Sequence, residues 1–382
     1  MKNLTNNGQS RRDFLGKSAA ALAAASIVPL NFSCANAGGS AAAAAGATAK
    51  IINGKINSKF NGVQIGAITY SYRGLTGGLQ QLVQFCKESG VSSIELMSSE
   101  LETFLGAPEN PMRRMMQQPR PAAQPQAGGA GGPGAGGPGA GGPGGAAAAP
   151  QQPRQQPQRT PEELAAIEKY NADLSAFRKN VSMSKVEEAR QMFANEGIGI
   201  HIVKFSPARW SDDDIDYAFT VAKAMGAKAV TEEISLEAAQ KLGPFAQKHD
   251  MYVAFHNHAQ YGDPAFSADP ILAVNPHVML NFDAGHYFGS TGLHPNDFIR
   301  RYKDRIYSIH LKDKTGKNNE TQADRNQVWG QGETPLVDIL TTARDEKWPY
   351  YFDIELEYTI QPWTNTVKEV RNCVNFARQI LI

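Results

Sequence analysis

The stretch Val278-Met279-Leu280-Asn281-Phe282-Asp283-Ala284-Gly285-His286 reads as a buried strand that stops abruptly in polar residues. Residues two apart on a strand share a face, so Leu280 and Phe282 point one way and Asp283 the other. Seven further runs have the same character: 63–70, 92–97, 198–205, 227–233, 251–257, 306–311 and 350–357. Each is followed by a segment of helical or loop character. Leu79, Leu82, Val83 and Cys86 recur at helical spacing, and Ser211 is placed as an N-cap ahead of Ile215, Phe219 and Ala222. Gly90, Gly197 and Gly226 stand just past helix ends, where a left-handed residue is wanted.

Eight strand-helix units in succession predict an α/β fold of the (β/α)8 TIM-barrel type. No glycine-rich dinucleotide loop follows the first run, which weakens an open doubly wound sheet. In such a barrel the active site lies at the C-terminal ends of the strands. Polar residues crowd there: Thr231-Glu232-Glu233, His256-Asn257-His258, Asp283 to His286, His310-Leu311-Lys312-Asp313 and Asp353 to Glu357. Alternation sends Glu233, His256, His258, Asp283 and Glu355 inward, with Lys312 in the inward phase of His310. Glu232 and Glu357 are assigned the opposite direction and ion pairs with helix residues. Carboxylates packed together repel unless a cation or proton intervenes, and a mixed oxygen and nitrogen ring suits Mn²⁺, Co²⁺, Zn²⁺ or Mg²⁺. A divalent metal ion is therefore the expected cofactor. Such an ion holds a ketone and its neighbouring hydroxyl and stabilises an enediolate, while a carboxylate moves the proton on the adjacent carbon.

The segments Phe282 to His286, Ile309 to Asp313, Gly330-Gln331-Gly332-Glu333 and Asp353-Ile354-Glu355 resemble the xylose-isomerase-like TIM-barrel family. That family includes sugar phosphate isomerases, ketose 3-epimerases, inosose dehydratase and, more distantly, endonuclease IV. The resemblance runs from about Val63 to Ile382 apart from an insertion. It implies that Asp283, His310 and Glu355 hold the metal and that His286 contacts substrate. The epimerases of the family place a Glu on strand five, where this chain has His256; the expected fourth ligand moves to Glu233 on strand four, with Glu232 the alternative. Glu233 and Glu355 are the candidate acid-base groups, and His256, His258, His286, Lys312 and the weaker Lys204 are the candidate substrate-binding residues. The His256-Asn257-His258 pattern resembles the dehydratase branch and exported relatives that process 3-keto sugars.

The implied function is a metal-dependent isomerase or epimerase of a free or keto-sugar. The alternatives are a lyase or hydratase of 3-keto-sugars or inososes on the same site, and a non-catalytic sugar- or metal-binding barrel. His201, His249, His277 and His294 read as ordinary core or loop histidines, and Trp329 as packing before a glycine turn. Lys+Arg 38 against Asp+Glu 37 gives a net charge of +1, and no basic run tracks a phosphate backbone, which excludes nucleic acid as a partner. A small sugar or keto-sugar is the expected ligand. Beyond the leader only Cys86 and Cys373 remain, so no disulfide framework is expected.

Ser10-Arg11-Arg12-Asp13-Phe14-Leu15 followed by an alanine-rich apolar run reads as a twin-arginine export signal over residues 1–37. The run is too short for a good membrane span, so a periplasmic or exported product is expected. Cys34 is a weak lipoprotein anchor, because Asn31 and Phe32 fit a lipobox poorly. A linker is expected over 38–60, then the barrel over 61–382, interrupted at about 108–160 by a Gly/Pro/Ala/Gln-rich insertion read as disordered. Lysine at both Arg11 and Arg12 should abolish export, measured by cell fractionation. Deletion of residues 109–158 should leave a barrel that still unfolds cooperatively on heating; a lost transition would make the segment part of the core.

Overall fold

In the computed structural model, residues 50–52, 55–111 and 160–382 are described. The expected leader, Cys34, most of the linker and nearly all of the insertion lie outside them. Eight parallel strands follow one another around a closed sheet: β1 (Val63–Ile68), β2 (Ser93–Met97), β3 (Gly199–Lys204), β4 (Ala229–Glu233), β5 (Tyr252–His256), β6 (Val278–Asp283), β7 (Ile306–Leu311) and β8 (Tyr351–Ile354). β8 closes the ring by pairing with β1, Tyr351 opposite Gln64 through Ile354 opposite Ala67. This is the (β/α)8 barrel expected, with the strands where the apolar runs place them.

The outward residues of the strands pack on the surrounding helices. Phe282 is fully buried and stacks on Phe298 of the helix Pro295–Arg301 at 4.3 Å between ring centroids. Ser211 caps the helix Asp212–Ala224 by accepting from Asp214 N, as the sequence indicates. Among the described residues, no helix is long and apolar enough to cross a membrane.

The barrel begins earlier than expected. Lys59–Phe60 pairs antiparallel with β1 through a turn at Asn61-Gly62, both at positive φ, and Phe60 is buried. An Asn-Gly pair between two extended segments is a strong hairpin signal, so the chain just before residue 61 belongs to the fold and not to the linker. At the far side of the insertion, Thr160 is already structured. It forms a capping box with Glu163 at the start of the helix Pro161–Lys179.

Polar residues fill the lower barrel interior. His201 Nε2 lies 2.8 Å from Asp353 Oδ2, Ser308 Oγ donates to the same oxygen, and Ser93 Oγ lies 2.9 Å from His201 Nδ1. The carboxylate has room only because β1 carries glycine at residue 66, where a Cβ would stand 2.2 Å from Asp353 Oδ1 and 2.9 Å from Ser93 O. Gly66→Ala should therefore destabilise the protein by about 1–3 kcal/mol, read from urea unfolding. An unchanged midpoint would show that the floor can relax.

Candidate metal centre at the barrel mouth

Six consecutive strands, β3 to β8, and the residues just past their ends deliver the expected residues to the C-terminal end of the barrel. Asp283 ends β6 and caps the helix Ala284–Thr291, with Oδ1 accepting from His286 N at 2.6 Å. Asn257 clamps it from β5 by taking Asp283 N and donating to Asp283 O. The cap uses one carboxylate oxygen only. Asp283 Oδ2 is buried without an aligned hydrogen bond, with His256 Nε2 at 3.4 Å and Lys312 Nζ at 3.1 Å. The glycine of the same motif has its own reason: a Cβ on Gly285 would meet Lys312 Cγ at 2.3 Å, so the Lys312 stem crosses directly over it.

His310 lies between two carboxylates, Nε2 at 2.7 Å from Glu95 Oε2 and Nδ1 at 2.8 Å from Glu355 Oε2, all three side chains being buried. Burial alone would lower the imidazole, but the two acids raise it well above the ordinary histidine range. The Glu95 carboxyl, which burial would push up, is brought to about 2 by His310. Lys312 Nζ reaches Glu355 at 3.0 Å and Glu357 at 2.7 Å, and their charges hold it protonated against burial.

The ligand atoms of His256, Asp283, His310 and Glu355 all fall within 4.8 Å of one another. Glu233, expected as the fourth member, is not among them. It groups with His256 and His258 instead, Oε2 standing 3.7 Å from His256 Nδ1 and 3.8 Å from His258 Nε2. Glu233 and His256 stand opposite one another in the pairing of β4 with β5, and it is His256 that reaches Asp283, Nε2 lying 3.4 Å from Oδ2. Glu233 stays at the lip, its side chain 44 % exposed, where Lys204 Nζ donates to Oε1 at 3.2 Å. Burial would raise its carboxyl, but His256, Lys204 and His258 together hold it well below the usual range.

Two of the discounted acids depart from expectation. Glu357 turns into the mouth, meeting Lys312 and lying 3.4 Å from His286 Nε2, since the regular strand ends at Ile354 and the following chain keeps the inward phase of Glu355. Glu232 points away as expected but pairs with no helix residue; it accepts Ala208 N and Glu233 N and so braces the loop after β3. His201, His249, His277 and His294 all stay outside the mouth cluster. Trp329 is buried edge-on against Phe376. The Gly330 to Glu333 motif is a clasp: Asp313 accepts from Gly330 N, Gly332 N and Thr334 N, and Glu333 accepts from Gly316 N.

Glu95 was not singled out by the sequence. It is fully buried on β2 and also accepts from Asn281 Nδ2 and Thr231 Oγ1. The available signal was an acid inside the apolar run Ser93-Ile94-Glu95-Leu96-Met97, where a buried charge needs a partner.

The donor set fits a divalent cation. Both ring nitrogens of His256, only 2 % exposed, lack a hydrogen-bond partner, as does Asp283 Oδ2, and buried polar atoms are rarely left so. Within the group His310 turns Nδ1 toward Glu355 while Glu95 holds Nε2 from behind, which resembles the carboxylate-histidine pairing that orients metal-ligating histidines.

A model of the xylose isomerase-like TIM barrel matches residues 164–376. The chain belongs to that family. Among solved structures, this member of the xylose isomerase-like family is similar to a probable 3-DHS dehydratase AsbF involved in petrobactin synthesis from Bacillus anthracis. The identity is 12 %, the TM-score 0.50, and the match covers 81 % of this chain and 98 % of that one. A sugar phosphate isomerase/epimerase from Parabacteroides distasonis aligns at 12 % identity and TM-score 0.49, over 84 % and 96 % of the two chains. D-psicose 3-epimerase with D-tagatose from Clostridium cellulolyticum aligns at 10 % and 0.47, over 84 % and 99 %. These likenesses are to the fold. Comparison with curated proteins gives no match.

Glu95→Gln keeps the shape but removes the charge behind His310. It should weaken Mn²⁺ binding about 10–100-fold by titration calorimetry while cooperative unfolding persists. Unchanged affinity would reduce Glu95 to a packing role.

Proposed function

We propose that this protein is a metal-dependent isomerase or epimerase of a free or keto-sugar, exported by its leader. The observation that carries the reading is the buried His256, Asp283, His310 and Glu355 group with the Glu233 carboxylate beside it at the lip, one oxygen held by Lys204 and the other without a hydrogen bond. Its membership of the xylose isomerase-like family and the likeness of its fold to a probable 3-DHS dehydratase accord with that reading.

A bound divalent cation would polarise a substrate carbonyl and its neighbouring hydroxyl. Everything else falls to the chain. Glu233 is ionised at neutral pH and its Oε2 has no hydrogen-bond partner, so it suits removal of a proton from the carbon beside the carbonyl. Lys312 offsets the charge of Asp283, Glu355 and Glu357 and so keeps the ligand oxygens together. His258, about half exposed at the lip, is shifted downward by burial and by the charge of His256, which favours the neutral ring that can both give and take a proton.

One observation favours the lyase or hydratase reading. Glu355, the second candidate base, has Oε2 committed to His310 and Lys312. A single lip carboxylate with histidines opposite suits proton removal followed by loss or addition of a group at the neighbouring carbon, which needs one base and one acid.

In D₂O, epimerisation or isomerisation should return product labelled at the rearranged carbon, followed by NMR with keto-sugars and added Mn²⁺. Elimination should instead produce an ultraviolet-absorbing unsaturated sugar, and hydration should consume one. Glu233→Gln should lower kcat by about 10²–10⁴-fold with metal content intact. Asp283→Asn and His310→Ala should lose the metal and stay folded. Full metal in both variants would remove the site, and a wild-type rate in Glu233→Gln would remove the base.

A further inference from the structure

Beside the mouth, on the same end of the barrel, the loop after β1 and the helix Ser98–Leu105 after β2 enclose a cavity of about 340 Å³. Met97, near the end of β2, is the lining residue nearest in sequence to the Glu95 that backs the candidate centre. It lines the cavity, and it stands two residues beyond Glu95 on the same face of β2, tied by its N–H to Thr69 Oγ1 at the end of β1. One wall is aromatic and fixed. Tyr70, 40 % exposed, has the Arg73 guanidinium 4.9 Å from its ring centroid, and Arg73 is itself held by the carbonyls of Leu356 and Tyr358 in the loop after β8. Ser71 Oγ donates to Ile354 O and accepts from Leu356 N, so this loop is pinned to the strand that supplies Glu355. Leu75 adds an exposed apolar edge, and Glu100 an acceptor.

Resting on the sugar-acting reading above, we propose that this cavity is a subsite for a second sugar ring. The substrate is then a glycoside of a keto-sugar, with its keto ring at the metal centre and its partner ring against Tyr70. The volume lies in the range of small-ligand pockets. A pyranose presents an apolar face of C–H groups and a rim of hydroxyls, which matches a rigid aromatic wall fringed by hydroxyl and carboxylate acceptors. The cavity disfavours a phosphorylated ring, because the guanidinium is engaged by two carbonyls and Glu100 would repel an anion.

The test compares kcat/KM for 3-keto-glucose with the 3-keto derivatives of maltose, cellobiose and trehalose on the metal-loaded, full-length protein. At least one disaccharide should exceed the monosaccharide by about tenfold or more. Tyr70→Ala, and separately Leu75→Asn, should erase that advantage through KM and leave the monosaccharide value within about twofold. Both sites are exposed, so folding should survive. Equal values for all four sugars, or variants that lower the monosaccharide as much as the disaccharide, would overturn the subsite and leave the sugar-acting reading standing. Turnover of none of them would instead overturn that reading, and the subsite with it.

Discussion

The burial of charge inside a closed barrel governs the rest of this structure. Glu95, Asp283, His310, Lys312, Asp353 and Glu355 all sit among apolar strands with little or no solvent access. A buried ion without a partner costs several kcal/mol, so each must be answered by an opposite charge or a hydrogen bond. The barrel answers them by connecting strands that are distant in sequence. His310 on β7 joins Glu95 on β2 to Glu355 beyond β8, and Lys312 gathers Asp283, Glu355 and Glu357. His256 is answered by charge alone: neither ring nitrogen has an aligned hydrogen bond, with Asp283 Oδ2 3.4 Å from Nε2 and Glu233 Oε2 3.7 Å from Nδ1. Those unaligned nitrogens, beside the similarly unbonded Asp283 Oδ2, are what make this group a candidate ligand site.

The same constraint explains the small residues. Gly66 leaves space for the Asp353 carboxylate, and Gly285 lets the Lys312 stem pass from the strand end toward the acids. Asn257 and Asn281 add uncharged hydrogen bonds to this interior, to the backbone of Asp283 and to the Glu95 carboxylate. The motif Asp283-Ala284-Gly285-His286 is thus a helix cap, a crossing point and a lip histidine in four residues.

The barrel could be read from the sequence because parallel strands buried on both faces appear as near-continuous apolar runs, and strand alternation fixes which neighbours point inward. Alternation assigns direction but not depth. Glu233, His256 and His258 were all expected inside; they do group at the mouth, but His256 is buried while Glu233 and His258 stand about half exposed at the lip. Glu95 was hidden because its partners, Thr231, Asn281 and His310, lie more than a hundred residues away in the chain. Glu357 was misdirected although alternation, carried two residues past Glu355, sends both to the same face, where Lys312 and His286 meet it.

The placement of Glu233 bears on the choice among reactions. Inversion at a carbon beside a carbonyl calls for proton removal from one face and return from the other, served by two groups flanking the ring. Here Glu355 is tied to His310 and Lys312, and the groups with a polar atom lacking an aligned hydrogen bond around the mouth are Glu233, His256, Asp283 and His286, of which Asp283 faces Lys312 at 3.1 Å. Their arrangement is asymmetric: the carboxylate joins the ring from β4, while His286 approaches from the helix after β6, where Glu357 lies 3.4 Å from its Nε2. An acid and a base of different chemical type suit a reaction whose two proton transfers differ, one at carbon and one at a departing or arriving oxygen. Elimination and hydration are of that kind, which is why the imidazoles at the lip count in favour of the lyase or hydratase reading even though the metal group alone serves every reaction in the set.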